Sequence, residues 1–155
     1  MPDKNVFISH YGRDDEHVGK MKELLQKSGY TLKNSSIDKT KPNQANNEDY
    51  IKQLLRDRIR WAGCVTVLIG PYTHTREWVN WEIEQAAKQG TRIVGVYING
   101  ASDSDVPEAF EKYGDALVGW SSEKIIGAIE GYINNWETVD GGRRESKWSI
   151  NREVC

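Results

Sequence analysis

Cys64-Val65-Thr66-Val67-Leu68-Ile69-Gly70-Pro71-Tyr72-Thr73-His74-Thr75-Arg76-Glu77-Trp78-Val79-Asn80-Trp81-Glu82-Ile83 changes its hydrophobic period halfway along, and that change decides the fold. Cys64 to Gly70 is an almost unbroken apolar run, as in a strand covered on both faces. From Thr75 to Gln89 the period is helical, with Gly90 as the stop. At roughly 100° per residue, Val79, Ile83, Ala86 and Ala87 gather on one side and are expected to face a core. Glu77 and Glu84 fall opposite, toward solvent. Trp78 and Glu82, four residues apart, stack on the flank between the two faces, where a pocket wall would lie.

The same strand-then-helix unit recurs on either side. Asn5 to His10 reads as a short buried strand, and Asp14, Asp15 and Glu16 place negative charge at a helix start. Val18, Met21, Leu24 and Leu25 form that helix's core stripe, closed by Gly29. Tyr30 to Ile37 is a more polar strand, suited to a sheet edge, and residues 38–47 form a loop punctuated by Pro42. A second helix is expected from Glu48 to Trp61, with Ile51, Leu54, Leu55 and Ile59 inward. After Gly90 come a strand at Arg92–Ile98, a short helix at Val106–Tyr113 and a strand at Ala116–Trp120. The last helix is expected at Ser122–Trp136, striped by Ile125, Ile126, Ile129 and Ile133. Residues 136–155 show no clear period and read as a C-terminal tail to a domain spanning 1–135, although Trp148 and Ile150 favour some packing.

Strands alternating with helices predict an α/β fold: an open, flavodoxin-like, five-stranded parallel sheet with helices on both faces, in order 2-1-3-4-5. The strand order then reverses between strands one and three, and ligands bind outside their carboxyl ends. Two loops emerge there, Ser9–Arg13 and Pro71–Thr75, and the flank bearing Glu82 points toward the same crevice.

Composition narrows the function. The chain has 155 residues, 28% of them charged, with a net charge of −2, which gives no support for a nucleic-acid or membrane surface. Its apolar runs are strand-length, short of a bilayer span, and the first residues lack the pattern of a secretory signal. Cys64, inside an apolar run, and Cys155 do not form a disulfide framework, so a cytoplasmic setting is expected. No Cys or His pair has metal-ligand spacing, so no metal is expected.

Val6-Phe7-Ile8-Ser9-His10 followed by Asp14-Asp15, together with Trp78-Val79-Asn80-Trp81-Glu82-Ile83, resembles the signatures of TIR domains. More narrowly, the Val67–Thr73 run joined to Arg76–Ile83 is similar to the TIR-like branch that includes ThsB of the Thoeris anti-phage system. The resemblance covers residues 4–135. It implies cleavage of NAD between nicotinamide and ribose, with NAD as substrate and no cofactor. It also implies an ADP-ribose-derived signalling nucleotide, often cyclic, that activates a separate effector protein, and Glu82 as the position matching the catalytic glutamate. Self-assembly is a common property of such enzymes.

The chemistry suits the residues. Nicotinamide leaves from a pyridinium and departs neutral, so no acid is needed at the leaving group. One carboxylate that stabilises the oxocarbenium-like ribose is enough, whereas ordinary glycosidases need a pair. Trp78 is placed to stack on nicotinamide or shape the wall. Ser9, His10 and Tyr11 stand on the loop after strand one, near the ribose or base, and Arg13 suits the pyrophosphate. Asp38 and His74 are further candidate contacts. Each has an ordinary alternative: a solvated acid, a core tryptophan, a structural histidine, an arginine paired with Asp14 or Asp15. The loop after strand two departs from the Arg-Asp-x-x-Pro-Gly motif of many TIR domains. Here it reads Asp38-Lys39-Thr40-Lys41-Pro42-Asn43-Gln44, without the glycine, which puts assembly mode and access in question.

Two rival readings remain open: a non-catalytic TIR interaction module, and a nucleoside deoxyribosyltransferase-like enzyme on a similar sheet. A phosphoreceiver domain is excluded, because Ser9-His10 stands where its acidic residues belong and Trp120-Ser121 follows the last strand instead of a lysine.

Overall fold

The computed structural model describes residues 5–10, 15–34, 48–71, 73–75 and 77–145. Among these residues, seven strands form one sheet: β1 (Asn5–Ser9), β2 (Thr31–Asn34), β3 (Cys64–Ile69), β4 (Arg92–Tyr97), β5 (Ala116–Val118), β6 (Trp136–Glu137) and β7 (Arg143–Arg144). The described helices between them are α1 (Asp15–Lys27), α2 (Glu48–Trp61), α3 (Glu77–Lys88), α4 (Glu108–Tyr113) and α5 (Ser122–Glu130).

The order is β2-β1-β3-β4-β5-β6-β7. The first five strands are parallel and stand in the expected 2-1-3-4-5 order. The sheet exceeds the five-strand expectation because β6 adds to β5 in parallel and β7 pairs back on β6 antiparallel. The last helix is correspondingly shorter than the expected Ser122–Trp136. It ends at Glu130 because Gly131 takes up the left-handed conformation at φ 92° and reverses the chain.

Alternation along the strands builds two cores. Val6, Ile8, Leu68, Val94, Val96 and Val118 meet α1 and α5 on one face, through Met21, Leu25, Ile125 and Ala128. Phe7, Val65, Val67, Ile69, Ile93 and Leu117 meet α2, α3 and α4 on the other, through Ile59, Val79, Ile83 and Phe110. β3 is buried along its whole length, as an apolar run covered on both faces must be. Phe7 and Ile8 point to opposite cores, so the next residue, Ser9, points to the α2–α3 side.

Where the chain leaves β3 it turns tightly. The Thr73 backbone N–H donates to the Gly70 carbonyl at 3.1 Å, and the Gly70 N–H donates to Thr73 Oγ1 at 2.8 Å. Pro71, second in that turn, has its φ preset for it. A single tight turn at Thr73–Thr75 follows, so α3 begins at Glu77 and not at the expected Thr75. No described helix is long and apolar enough to cross a membrane.

Candidate active site

The site begins with a hydroxyl and a carboxyl. Ser9 ends β1, and Glu82 lies in the second turn of α3, which packs against β1, β3, β4 and α2. Ser9 Oγ donates to Glu82 Oε1 at 2.7 Å, across a sequence separation of 73 residues. The contact joins the carboxyl end of β1 to the helix that follows β3, beside the point where the strand order reverses. Ligands of open parallel sheets bind at that point.

Glu82 is only 1% exposed and Ser9 is fully buried. This is deeper than the flank position read from helical spacing. The buried arc of α3 runs through Val79, Glu82, Ile83, Gln85 and Ala86 because α2 covers its side as the sheet covers its base. Glu77 and Glu84 are exposed, as the spacing requires.

Burial pushes the Glu82 carboxyl up to about 8, while the Ser9 hydrogen bond and the positive charge of Arg58 favour the ionised form and hold it from going higher. Arg58, half-buried on α2, is lowered by its own burial and raised by Glu82 in return. Arg58 is the site group that sequence reasoning missed. Within α2 it reads as one of several basic residues in a charged stretch, Arg56-Asp57-Arg58-Ile59-Arg60. Only the packing of α2 on α3 distinguishes it. That packing is fixed nearby by Arg56, whose Nε donates to Gln85 Oε1 at 3.3 Å and whose guanidinium lies 5.4 Å from the Trp81 ring.

Trp78, 41% exposed, does not lie in the core. Its ring meets Trp81 edge-on, with centroids 5.5 Å apart at 77°. The first turn of α3 therefore carries an exposed aromatic plate braced by a second one. His10 is buried directly after β1, next to Ser9 in the chain. Tyr11, Arg13 and Asp38 lie outside the described residues, as does the side chain of His74. Cys64, buried at the start of β3, has its thiol pushed up to about 12 by that burial, which leaves it an unreactive core group.

Residues 7–103, from β1 through β4, match the family described as Thoeris protein ThsB, TIR-like domain. A Bacillus cereus (strain MSX-D12) protein named "Putative cyclic ADP-D-ribose synthase ThsB1" is 34% identical over 53 residues. That match covers 34% of this chain and 28% of the relative, so it spans little more than a quarter of the relative's length. Among solved structures, a 2-deoxyribosyltransferase from Bacillus psychrosaccharolyticus superposes with a TM-score of 0.58 at 15% identity, over 78% of this chain and 89% of the other. The Clostridium botulinum CMP N-glycosidase BcmB superposes with a TM-score of 0.52 at 13% identity, over 83% of this chain and 100% of the other. At those identities the likeness is one of fold.

Proposed function

The chain belongs to the Thoeris ThsB TIR-like family, and from that premise we propose that it cleaves NAD at the bond between nicotinamide and ribose, with Glu82 as the catalytic carboxylate. The observation that carries the reading is the buried Ser9–Glu82 contact at the strand-order reversal. It lies within the matched residues, and the name of the Bacillus cereus relative gives cyclic ADP-D-ribose as the product, which NAD cleavage followed by ring closure would supply.

In this reading the glycosidic C–N bond breaks and its electron pair returns to the pyridinium nitrogen. Neutral nicotinamide departs, and the positive charge is left on the ribose. Glu82, as an anion in its buried setting, stabilises that charge. In the protein alone its carboxyl, pushed up to about 8, is largely protonated at neutral pH. A substrate that brings a cationic pyridinium ribose beside it favours the anion, so binding releases a proton. Trp78 offers a face for nicotinamide at the entrance. The ribosyl cation is then captured by water, by an atom of the same nucleotide or by an added acceptor, the second giving a cyclic product. That nucleotide would act on a separate effector protein.

The test is chromatography with mass spectrometry of NAD incubated with the protein and with two variants. Glu82→Gln is expected to lower nicotinamide release by roughly 10²-fold or more, the scale of losing one electrostatic stabiliser. Glu84→Gln, on the solvent face, is expected to leave it within about twofold. Equal losses in the two variants would sink the assignment.

A second reading, transfer or hydrolysis at a nucleoside's N-glycosidic bond, is favoured by the fold likeness to the 2-deoxyribosyltransferase and the CMP N-glycosidase. Incubation with a deoxynucleoside and a free base, or with CMP, separates it from NAD cleavage. If NAD survives in phage-challenged cells that carry the protein, the non-catalytic interaction module becomes the better reading.

A further inference from the structure

Ser9 spends its hydroxyl on Glu82. It is fully buried, its hydroxyl is committed to Glu82 Oε1 at 2.7 Å, and strand alternation aims it into the α2–α3 side of the sheet. A serine at the end of a sheet strand is a poor choice for filling apolar space, because an unpaired buried hydroxyl costs free energy. Here its partner is a carboxyl that is itself 1% exposed.

We propose that Ser9 is a positioning residue that acts through Glu82: its hydroxyl fixes the carboxyl in the crevice and stabilises the charged form that the reaction uses. The proposal rests on the NAD-cleaving reading for what Glu82 does, and on geometry alone for what Ser9 does to Glu82. Among the described residues, the groups that act on the carboxyl from its packing neighbours are the Ser9 hydroxyl from β1 and the guanidinium of Arg58 from α2, and both favour the anion. A hydrogen bond to a charged group is stronger than one to its neutral form. Removing the hydroxyl therefore makes the carboxyl harder to ionise.

Two measurements on the full chain test this. The first is direct titration of the Glu82 carboxyl by carbon NMR of glutamate-labelled protein, with Glu82→Gln to assign the signal. Ser9→Ala is expected to move the midpoint up by about one pH unit or more, and Ser9→Thr, which keeps the hydroxyl, to return it toward wild type. The second is the pH profile of nicotinamide release. Ser9→Ala is expected to lower kcat/KM roughly tenfold on the acidic side, the same shift read as rate, and to approach wild type once the pH exceeds the raised midpoint, with KM little changed. An unmoved midpoint would overturn the proposal. So would a deficit that persists at every pH with a raised KM, the behaviour of a residue that touches substrate. If the wild-type protein released no nicotinamide, the NAD reading would fall, and the NMR titration alone would still decide the role of Ser9.

Discussion

At the scale of single residues, the burial of Glu82 carries a stability cost that depends on pH. Its carboxyl titrates from an ordinary value of 4.5 up to about 8 because it is buried. Between those two values the folded chain holds a proton that the unfolded chain has released. Stability is therefore greatest at or below pH 4.5 as far as this group is concerned, falls as pH rises through the window, and levels above about 8. Glu82→Gln is expected to remove this slope. Thermal melts should show a small change at pH 5 and a clear rise in Tm at pH 9, at about 2–4 °C for each kcal/mol gained. An equal change at the two pH values would mean that the carboxyl does not carry the burial penalty. The position of Glu82 on its helix was legible from spacing alone, since Val79, Ile83 and Ala86 are buried and Glu77 and Glu84 are exposed. Its depth was not. Depth is set by Ser9, 73 residues away, and by the lid that α2 lays over α3, and no local period reports either.

At the scale of elements, the strongly periodic segments were readable and the last strands were not. Glu48–Trp61 forms α2 over the very span its stripe indicates, with Leu55 and Ile59 buried. The isoleucine stripe of α5 misleads past Gly131. Ile133 does pack, but by folding back: a Cβ on Gly127 would stand 2.7 Å from Ile133 Cδ1. β6 and β7 are two residues each, too short to show any alternation. They are held by long-range polar contacts instead. The Gly119 N–H donates to Glu137 Oε1 at 3.1 Å, the Lys124 ammonium lies 3.0 Å from Glu137 Oε2, and the Tyr97 hydroxyl donates to the Glu137 carbonyl at 3.0 Å. Arg144 on β7 reaches α4, donating to Glu111 Oε2 at 2.7 Å and Oε1 at 3.4 Å while lying over the Trp136 ring. Glu111 is 1% exposed, so Arg144→Met leaves a buried carboxylate without its main counter-charge. The expected cost is about 3–5 kcal/mol, a fall in Tm on the order of 10 °C. Adding Glu111→Leu to that variant should recover much of the loss, because two apolar side chains carry no unpaired charge. Denaturant melts of the wild type, the single variant and the double variant check this. A double variant no better than the single one would show that the pair acts mainly through its geometry.

At the scale of the whole molecule, the two ends of the sheet differ in the polar groups they offer among the described residues. At the amino end of β4 lies an open groove of about 400 Å³, lined by Ala87, Gly90, Arg92, Tyr113 and Asp115 among others. Its polar groups are already spent on the fold. Arg92 donates to the Ala128 and Ile133 carbonyls at 2.7 and 3.0 Å and to Asn134 Oδ1 at 2.8 Å, and Asp115 accepts from the Ile93 N–H at 2.8 Å. A ligand there would find few unspent donors. At the carboxyl end, Ser9 and Glu82 meet where the strand order reverses, and Trp78 stands exposed on the first turn of α3. Tyr113 beside the amino end is 45% exposed and Trp78 beside the carboxyl end 41%, which makes a matched comparison. Tyr113→Ala is expected to change nicotinamide release less than about twofold, as surface substitutions away from a site do. Trp78→Ala should raise KM roughly fivefold or more, the lower end of what stacking a base on an aromatic face contributes. Its effect on kcat should be smaller, since Glu82 is left in place. If Tyr113→Ala gave the larger effect, the ligand would have to be sought at the amino end, and the topological argument that places it beside Glu82 would fail with it.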